Sequence, residues 1–148
     1  MVPTPREAAQ QLRAADLRVT RQRVAVLDAV AAYPHTDAET IFGAVRIALP
    51  GVSRHTVYDI LSALTSRGIL RRIEPSGSSA RYERRVGDNH HHLVCRSCGV
   101  IADVNHATGE GPCLTGYGGD GFEIDETEVV FWGLCAACSP SEASRPQP

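Results

Sequence analysis

The sequence predicts an α+β protein in two parts: an N-terminal winged helix-turn-helix, then a smaller, mainly β domain held by four cysteines. Three observations carry this. Apolar residues recur with the helical period in the first 67 residues and give way to two short strand patterns. The charge divides between the halves. All the paired cysteines, in two CxxC motifs, lie in the second half.

The elements follow in order. Arg6 to Ala15 is a short helical segment. Thr20 is placed to N-cap a second helix that turns Val24, Leu27 and Val30 inward. Thr36 and Glu39 read as a T-x-x-E capping box opening a third helix, with Ile41, Phe42, Val45 and Leu49 on one face. Pro50-Gly51 stops it. Ser53 caps a fourth helix bearing Val57, Ile60, Leu61 and Leu64, and Gly68 closes it. Ile69 to Glu74 and Arg81 to Arg85 read as strands around a Pro75–Ser79 turn. Tightly joined helices with a hairpin behind them are the parts of a winged helix.

Residues 86–89, with Gly87, read as a hinge between a winged-helix domain over 1–85 and a second domain over 90–138. That domain shows strand patterns at Leu93–Cys95, Val100–Val104, Phe122–Ile124 and Val129–Trp132. Asn105 to Asp120 is Gly-rich, so a helix there is expected to be short. Residues 139–148 are Ser, Pro, Glu and Gln-rich and read as a disordered tail.

The 148 residues include 15 basic and 17 acidic ones, and every basic residue is Arg. Residues 1–85 hold 13 Arg against 8 acids, a balance of +5; residues 86–148 hold 2 against 9, a balance of −7. The basic half suits a polyanion, and Arg is the better fork for phosphate and guanine edges. No run approaches the ~20 apolar residues of a membrane span, and no secretory signal is apparent. A soluble, cytoplasmic protein is expected, with no membrane partner.

Cys95-x-x-Cys98 and Cys135-x-x-Cys138 put two thiols on each of two knuckles, the spacing of a closed structural zinc site. The competing readings are two disulfides or a thioredoxin-like motif. A cytosolic setting disfavours the first, and the second needs a βαβ context missing here. His90 and His92 alternate on a strand and can share a second metal, with Glu83 and His35 as further candidates; His91 faces elsewhere. Histidine with carboxylate suits Fe(II), Mn(II), Co(II) or Zn(II). The competing reading is a solvated histidine loop. On the fourth helix Arg54, His55, Tyr58 and Ser62 form a polar face that suits the major groove, and Arg18, Arg21 and Arg23 can reach phosphates or the minor groove. An ordinary solvated face is the alternative. Cys113, the fifth cysteine, is a buried apolar residue, a redox-reactive thiol or an extra ligand.

Taken together, these motifs resemble the ferric uptake regulator (Fur) family of bacterial metal-dependent repressors: Leu17-Arg18-Val19-Thr20-x-x-Arg23, His35-x-x-Ala38-Glu39, Ser53-x-x-Thr56-Val57-Tyr58, Arg81-Tyr82-Glu83, His90-His91-His92-Leu93-x-Cys95-x-x-Cys98-Gly99 and Cys135-x-x-Cys138. The likeness runs from about Leu12 to Cys138 and is nearest the branch that represses a catalase-peroxidase gene and responds to iron and peroxide.

The resemblance implies a homodimer binding double-stranded operator DNA, with the second domain an α/β dimerisation domain. It implies Cys95, Cys98, Cys135 and Cys138 as structural Zn2+ ligands. It implies His35, Glu83, His90 and His92 as a sensor site joining the domains, holding Fe2+, with Mn2+, Zn2+ or Ni2+ as alternatives. Tyr58 matches a base-contacting tyrosine and Arg18 a minor-groove residue. Asp103, His91 and Glu110 are candidates for an auxiliary metal site, although Thr127 and Asn89 stand where its histidines often lie. Glu83 stands where peroxide-sensing members often carry Asp. The expected function is a metal-dependent, redox-responsive repressor and not an enzyme. The rivals are a zinc- or nickel-sensing regulator of metal uptake, a CxxC redox enzyme, and a zinc-ribbon interaction module.

Overall fold

The computed structural model describes residues 4–84, 90–104, 121–123 and 128–140. The chain divides into two compact units, Met1–Val86 and Gly87–Pro148.

In the first unit, α1 (Pro5–Ala14) is opened by Thr4 and Glu7, a reciprocal capping box with Pro at the first helical position. After α1 the chain turns through Asp16, which sits in the left-handed region at φ 62°. Thr20 caps α2 (Arg21–Ala32) by accepting the Arg23 N–H at 3.2 Å.

The next element departs from the expected capping box. Thr36 belongs to a two-residue strand, β1 (Thr36–Asp37), paired with Tyr82. Asp37 is the N-cap of α3 (Ala38–Ala48), its carboxylate accepting from the Thr40 N–H at 2.8 Å. The strand uses up Thr36, so the cap falls one residue later. Asp is among the best residues for that role. Glu39 is thereby freed from capping.

Ser53 caps α4 (Arg54–Ser66), and Gly68 follows it at φ 70°. The wing consists of β2 (Arg71–Ile73) and β3 (Arg81–Glu83), both shorter than the sequence pattern suggests. With β1 they make a three-stranded antiparallel sheet in the order β1-β3-β2. Leu12, Leu27, Val30, Ile41, Val45, Leu61 and Leu64 are almost completely buried and tie the four helices together. Each buried side chain of this size contributes roughly 1.5–3 kcal/mol.

The second unit is a mixed sheet in the order β5-β4-β6. Its central strand β4 (His91–Cys95) runs antiparallel to β5 (Ile101–Val104) and parallel to β6 (Val130–Gly133). Phe122 and Glu123 lie outside any strand, contrary to the pattern at 122–124. The proposed hinge at 86–89, the Gly-rich stretch with Glu110 and Cys113, Thr127, and most of the tail lie outside the described residues. Among the described residues, no helix is long and apolar enough to cross a membrane.

Candidate metal centres and nucleic-acid interface

The cysteine cluster is built by local turns at the ends of strands. β4 ends at Cys95 and β6 ends two residues before Cys135, so parallel pairing of the two strands brings the knuckles together. Each knuckle folds back on itself: the Gly99 N–H donates to the Cys95 carbonyl at 3.0 Å, and the Cys138 N–H to the Cys135 carbonyl at 3.0 Å. The four sulfurs lie within 4.8 Å of one another, with Cys98 and Cys135 at 3.7 Å. Thiolates held ~2.3 Å from a tetrahedral zinc stand about 3.8 Å apart, so the set fits the ion. None of the four forms a disulfide.

The cage is electrostatically uneven. Backbone N–H groups of Cys98 and Cys135 pull the Cys95 thiol down to about 6. The Ser97 hydroxyl favours the Cys138 thiolate, but crowding by the sulfurs of Cys135 and Cys98 outweighs it and leaves that thiol at about 11. Backbone donors and neighbouring sulfurs thus push the two thiols in opposite directions.

A second set of ligand-type side chains is present in each unit. In the first, β1–β3 pairing delivers His35 to Glu83. The His35 N–H donates to the Tyr82 carbonyl at 2.9 Å, and His35 Nε2 lies 2.8 Å from Glu83 Oε2. His35 holds a left-handed backbone at φ 61°, strained for a non-glycine residue. Glu83 is 2% exposed, and its other oxygen lies 4.0 Å from the Arg71 guanidinium. A carboxylate this buried requires cationic or hydrogen-bonding neighbours; Arg71 was not foreseen from the sequence.

In the second unit, His90 and His92 turn the same way. Their Nε2 atoms lie 3.1 Å apart, and both rings are buried. Asp103 Oδ1 approaches them at 3.4 and 3.6 Å. His92 Nδ1 lies 3.1 Å from Glu128 Oε1, the arrangement that orients a ligand imidazole. The register explains Asp103: His92 is paired with Asp103 and His91 with Val104. Strand alternation puts His91 on the opposite face, where its Nδ1 accepts the Val129 N–H at 3.2 Å and its ring meets Phe131. Asp103 lies with His90 and His92 on the face opposite His91, and Glu110, the third candidate for an auxiliary site, lies outside the described residues. Glu128 carried no sequence signal, because only β4–β6 pairing brings it near.

The helix-turn-helix presents the polar face expected of α4, with its ends already engaged. Arg54 at the first helical position grips Glu39 with Nε at 2.6 Å and Nη2 at 3.1 Å, and lies over the Phe42 ring. The Tyr58 hydroxyl donates to the same carboxylate at 2.9 Å. Arg54 and then Tyr58 hold the Glu39 carboxyl below the usual carboxylate range. His55 lies 3.2 Å from Asp59. Arg18 is exposed, and its carbonyl accepts the Arg23 guanidinium at 2.6 Å. Arg23 therefore grips the backbone that presents Arg18 instead of standing free beside it.

Comparison with known proteins agrees with this construction. The ferric uptake regulator family model matches residues 14–131. The chain is 69% identical over 140 residues to the transcriptional regulator FurA of Mycobacterium tuberculosis, spanning 95% of each chain. It is 28% identical over 138 residues to the peroxide operon regulator of Bacillus subtilis, covering 93% of this chain and 94% of that one. Among solved structures, the Helicobacter pylori ferric uptake regulator shares the fold at a TM-score of 0.68 and 24% identity, over 95% of this chain and 97% of that one. A winged helix, a four-cysteine cluster and a histidine-rich strand, matched over nearly the whole length, place this chain in the ferric uptake regulator family, whose members are transcriptional regulators and not enzymes.

Proposed function

We propose that the protein is a homodimeric repressor that binds operator DNA when a sensor metal is held, with Fe(II) as the metal and peroxide as the signal that ends repression. One observation carries the reading: the chain holds two chemically different ligand sets. Four thiols form one. Buried imidazoles with carboxylates form the other. Soft thiolates favour a closed zinc site whose role is to hold the second unit together. Imidazole and carboxylate favour a borderline, exchangeable metal.

The sensor ligands are His35 and Glu83 from the first unit and His90 and His92 from the second, the set implied by the family resemblance, with Asp103 added. Bound iron supplies one-electron chemistry toward peroxide. His35, Glu83, His90 and His92 bind and orient it, and Glu128 fixes the His92 ring. A metal that takes ligands from both units favours one arrangement of the DNA-reading parts. Half-sites about one helical turn apart, or a multiple of it, then fit both recognition helices of a dimer. Metal and DNA binding reinforce each other, typically by ~1–3 kcal/mol. Arg54, His55 and Tyr58 of α4 face the major groove and Arg18 reaches the backbone or minor groove. Genes answering oxidative stress, such as a catalase-peroxidase gene, and the protein's own gene are the expected targets. The B. subtilis relative supports the peroxide signal by its name.

The test is binding of the one-zinc protein to DNA upstream of its own gene, without oxygen, as Fe(II) is titrated and peroxide then added. Iron-dependent binding that peroxide abolishes supports the reading. A 16 Da gain on His35, His90 or Cys113 would locate the oxidation. Binding that ignores iron and follows zinc or nickel makes the protein a metal-uptake regulator of the same family.

A further inference from the structure

The Arg54–Glu39–Tyr58 cluster lies on the face of α4 assigned above to DNA, yet both functional side chains are occupied by another part of the same unit. Glu39 stands in the first turn of α3, released from helix capping because Asp37 takes that role. Its two oxygens accept three hydrogen bonds, two from Arg54 and one from Tyr58. The cluster is open to solvent: the side chains of Arg54 and Glu39 are 60% and 54% exposed.

The pairing has the chemistry of a nucleic-acid contact. A guanidinium fork grips a carboxylate and a phosphate in the same two-pronged way. Phe42, beneath Arg54 at 4.9 Å from its ring centre, holds the guanidinium over α3. Glu39 is thus an anion built into the protein at the entrance to the recognition helix.

We propose that Glu39 is an internal competitor that stands in for a DNA phosphate, occupying Arg54 and Tyr58 until a duplex displaces it and lowering affinity for every duplex that does so. This rests on α4 being the DNA-reading helix. Any duplex offers Arg54 a phosphate, but a phosphate alone only replaces an equivalent partner. A correct site adds base contacts that Glu39 cannot imitate. Both kinds of duplex must displace the carboxylate, so it lowers both affinities by a similar factor, and the base contacts then decide which complex still forms at a given protein concentration.

The experiment uses the full-length protein loaded with zinc and Mn(II), with fluorescence anisotropy at several salt concentrations. The probes are a duplex of shuffled sequence and a duplex recovered by the wild-type protein from a random-sequence pool. Glu39→Gln unmasks one cation. It is expected to tighten binding to the shuffled duplex roughly fivefold near 0.1 M salt and to steepen its log–log salt slope by about 0.9. The gain on the selected duplex is similar, so the ratio of the two affinities stays within about twofold. In an Arg54→Ala background the same substitution has little effect.

A Glu39→Gln variant that binds the selected duplex more weakly would overturn the proposal, because Glu39 would then be aligning Arg54 for contact. An undiminished gain in the Arg54→Ala background would also overturn it, by showing a general charge effect. If Arg54→Ala and Tyr58→Phe leave both affinities unchanged, α4 does not read DNA, and the underlying assignment fails instead.

Discussion

The Nε2 atoms of His90 and His92 face each other at 3.1 Å, in a place where each ring is at most 1% exposed. Two nitrogens at this distance share a proton or together present their lone pairs to a cation. Asp103 lies on the same side, and under the proposed function the three supply part of the sensor-metal site. His90→Ala is expected to cut affinity for Mn(II) or Fe(II) by at least ~100-fold, beyond the usual loss on removing a partner of a ligand. Zinc content and the dimer should persist. Calorimetric metal titration with native mass spectrometry checks this; a zinc-free or monomeric variant would contradict it.

The cysteine cluster should govern the second unit alone. Trp132, the single tryptophan, lies on β6 and reports that unit, whereas the α-helices among the described residues all lie in the first and dominate their far-ultraviolet dichroism. Cys135→Ser should lose zinc and shift Trp132 emission to the red while the helical signal stays. Structural zinc sites in isolated peptides contribute roughly 10–16 kcal/mol, far more than a small unit can forgo. Loss of both signals together would show that the units fold as one.

Asp37 gives α3 a pH-dependent start. The Thr40 N–H holds its carboxyl below the usual carboxylate range. A depressed folded-state value means the stabilisation is present above the unfolded value, near ~4, and is lost as pH falls through the folded one. Asp37→Ala should cost about 1 kcal/mol at pH 7, and Asp37→Asn much less, since Asn caps almost as well. Thermal melts across the acidic range should show both variants losing less stability than wild type between neutral pH and the acid limit.

Arg23 should act on DNA through Arg18. Its guanidinium grips the Arg18 carbonyl at 2.6 Å and so fixes the segment before α2. Loss of one such hydrogen bond, net ~1 kcal/mol, corresponds to about fivefold weaker DNA binding in Arg23→Ala. The double variant with Arg18→Ala should bind no worse than Arg18→Ala alone, and its salt slope should match that variant's. Additive losses would mean that Arg23 meets the phosphate itself.

The sequence by itself determined whatever depends on neighbours along the chain. CxxC spacing sets each knuckle, Thr20 and Ser53 cap their helices, and the 3.6-residue period chooses the apolar faces buried around Leu61 and Leu64. These are short-range effects, decided by backbone hydrogen bonds and side-chain period before the fold is complete. Pairing between distant segments was left to the tertiary structure. A two-residue strand moved the α3 cap from Thr36 to Asp37 and set His35 against Glu83. The β4–β5 register put Asp103, and not His91, with the buried histidine pair, since a one-residue slip would turn every side chain to the other face. Helix packing across the turn closed Glu39 onto Arg54 and Tyr58. Strand pattern and helical period announce which elements exist; only their docking decides which charges meet, because each such contact joins residues with no periodic relation in the chain.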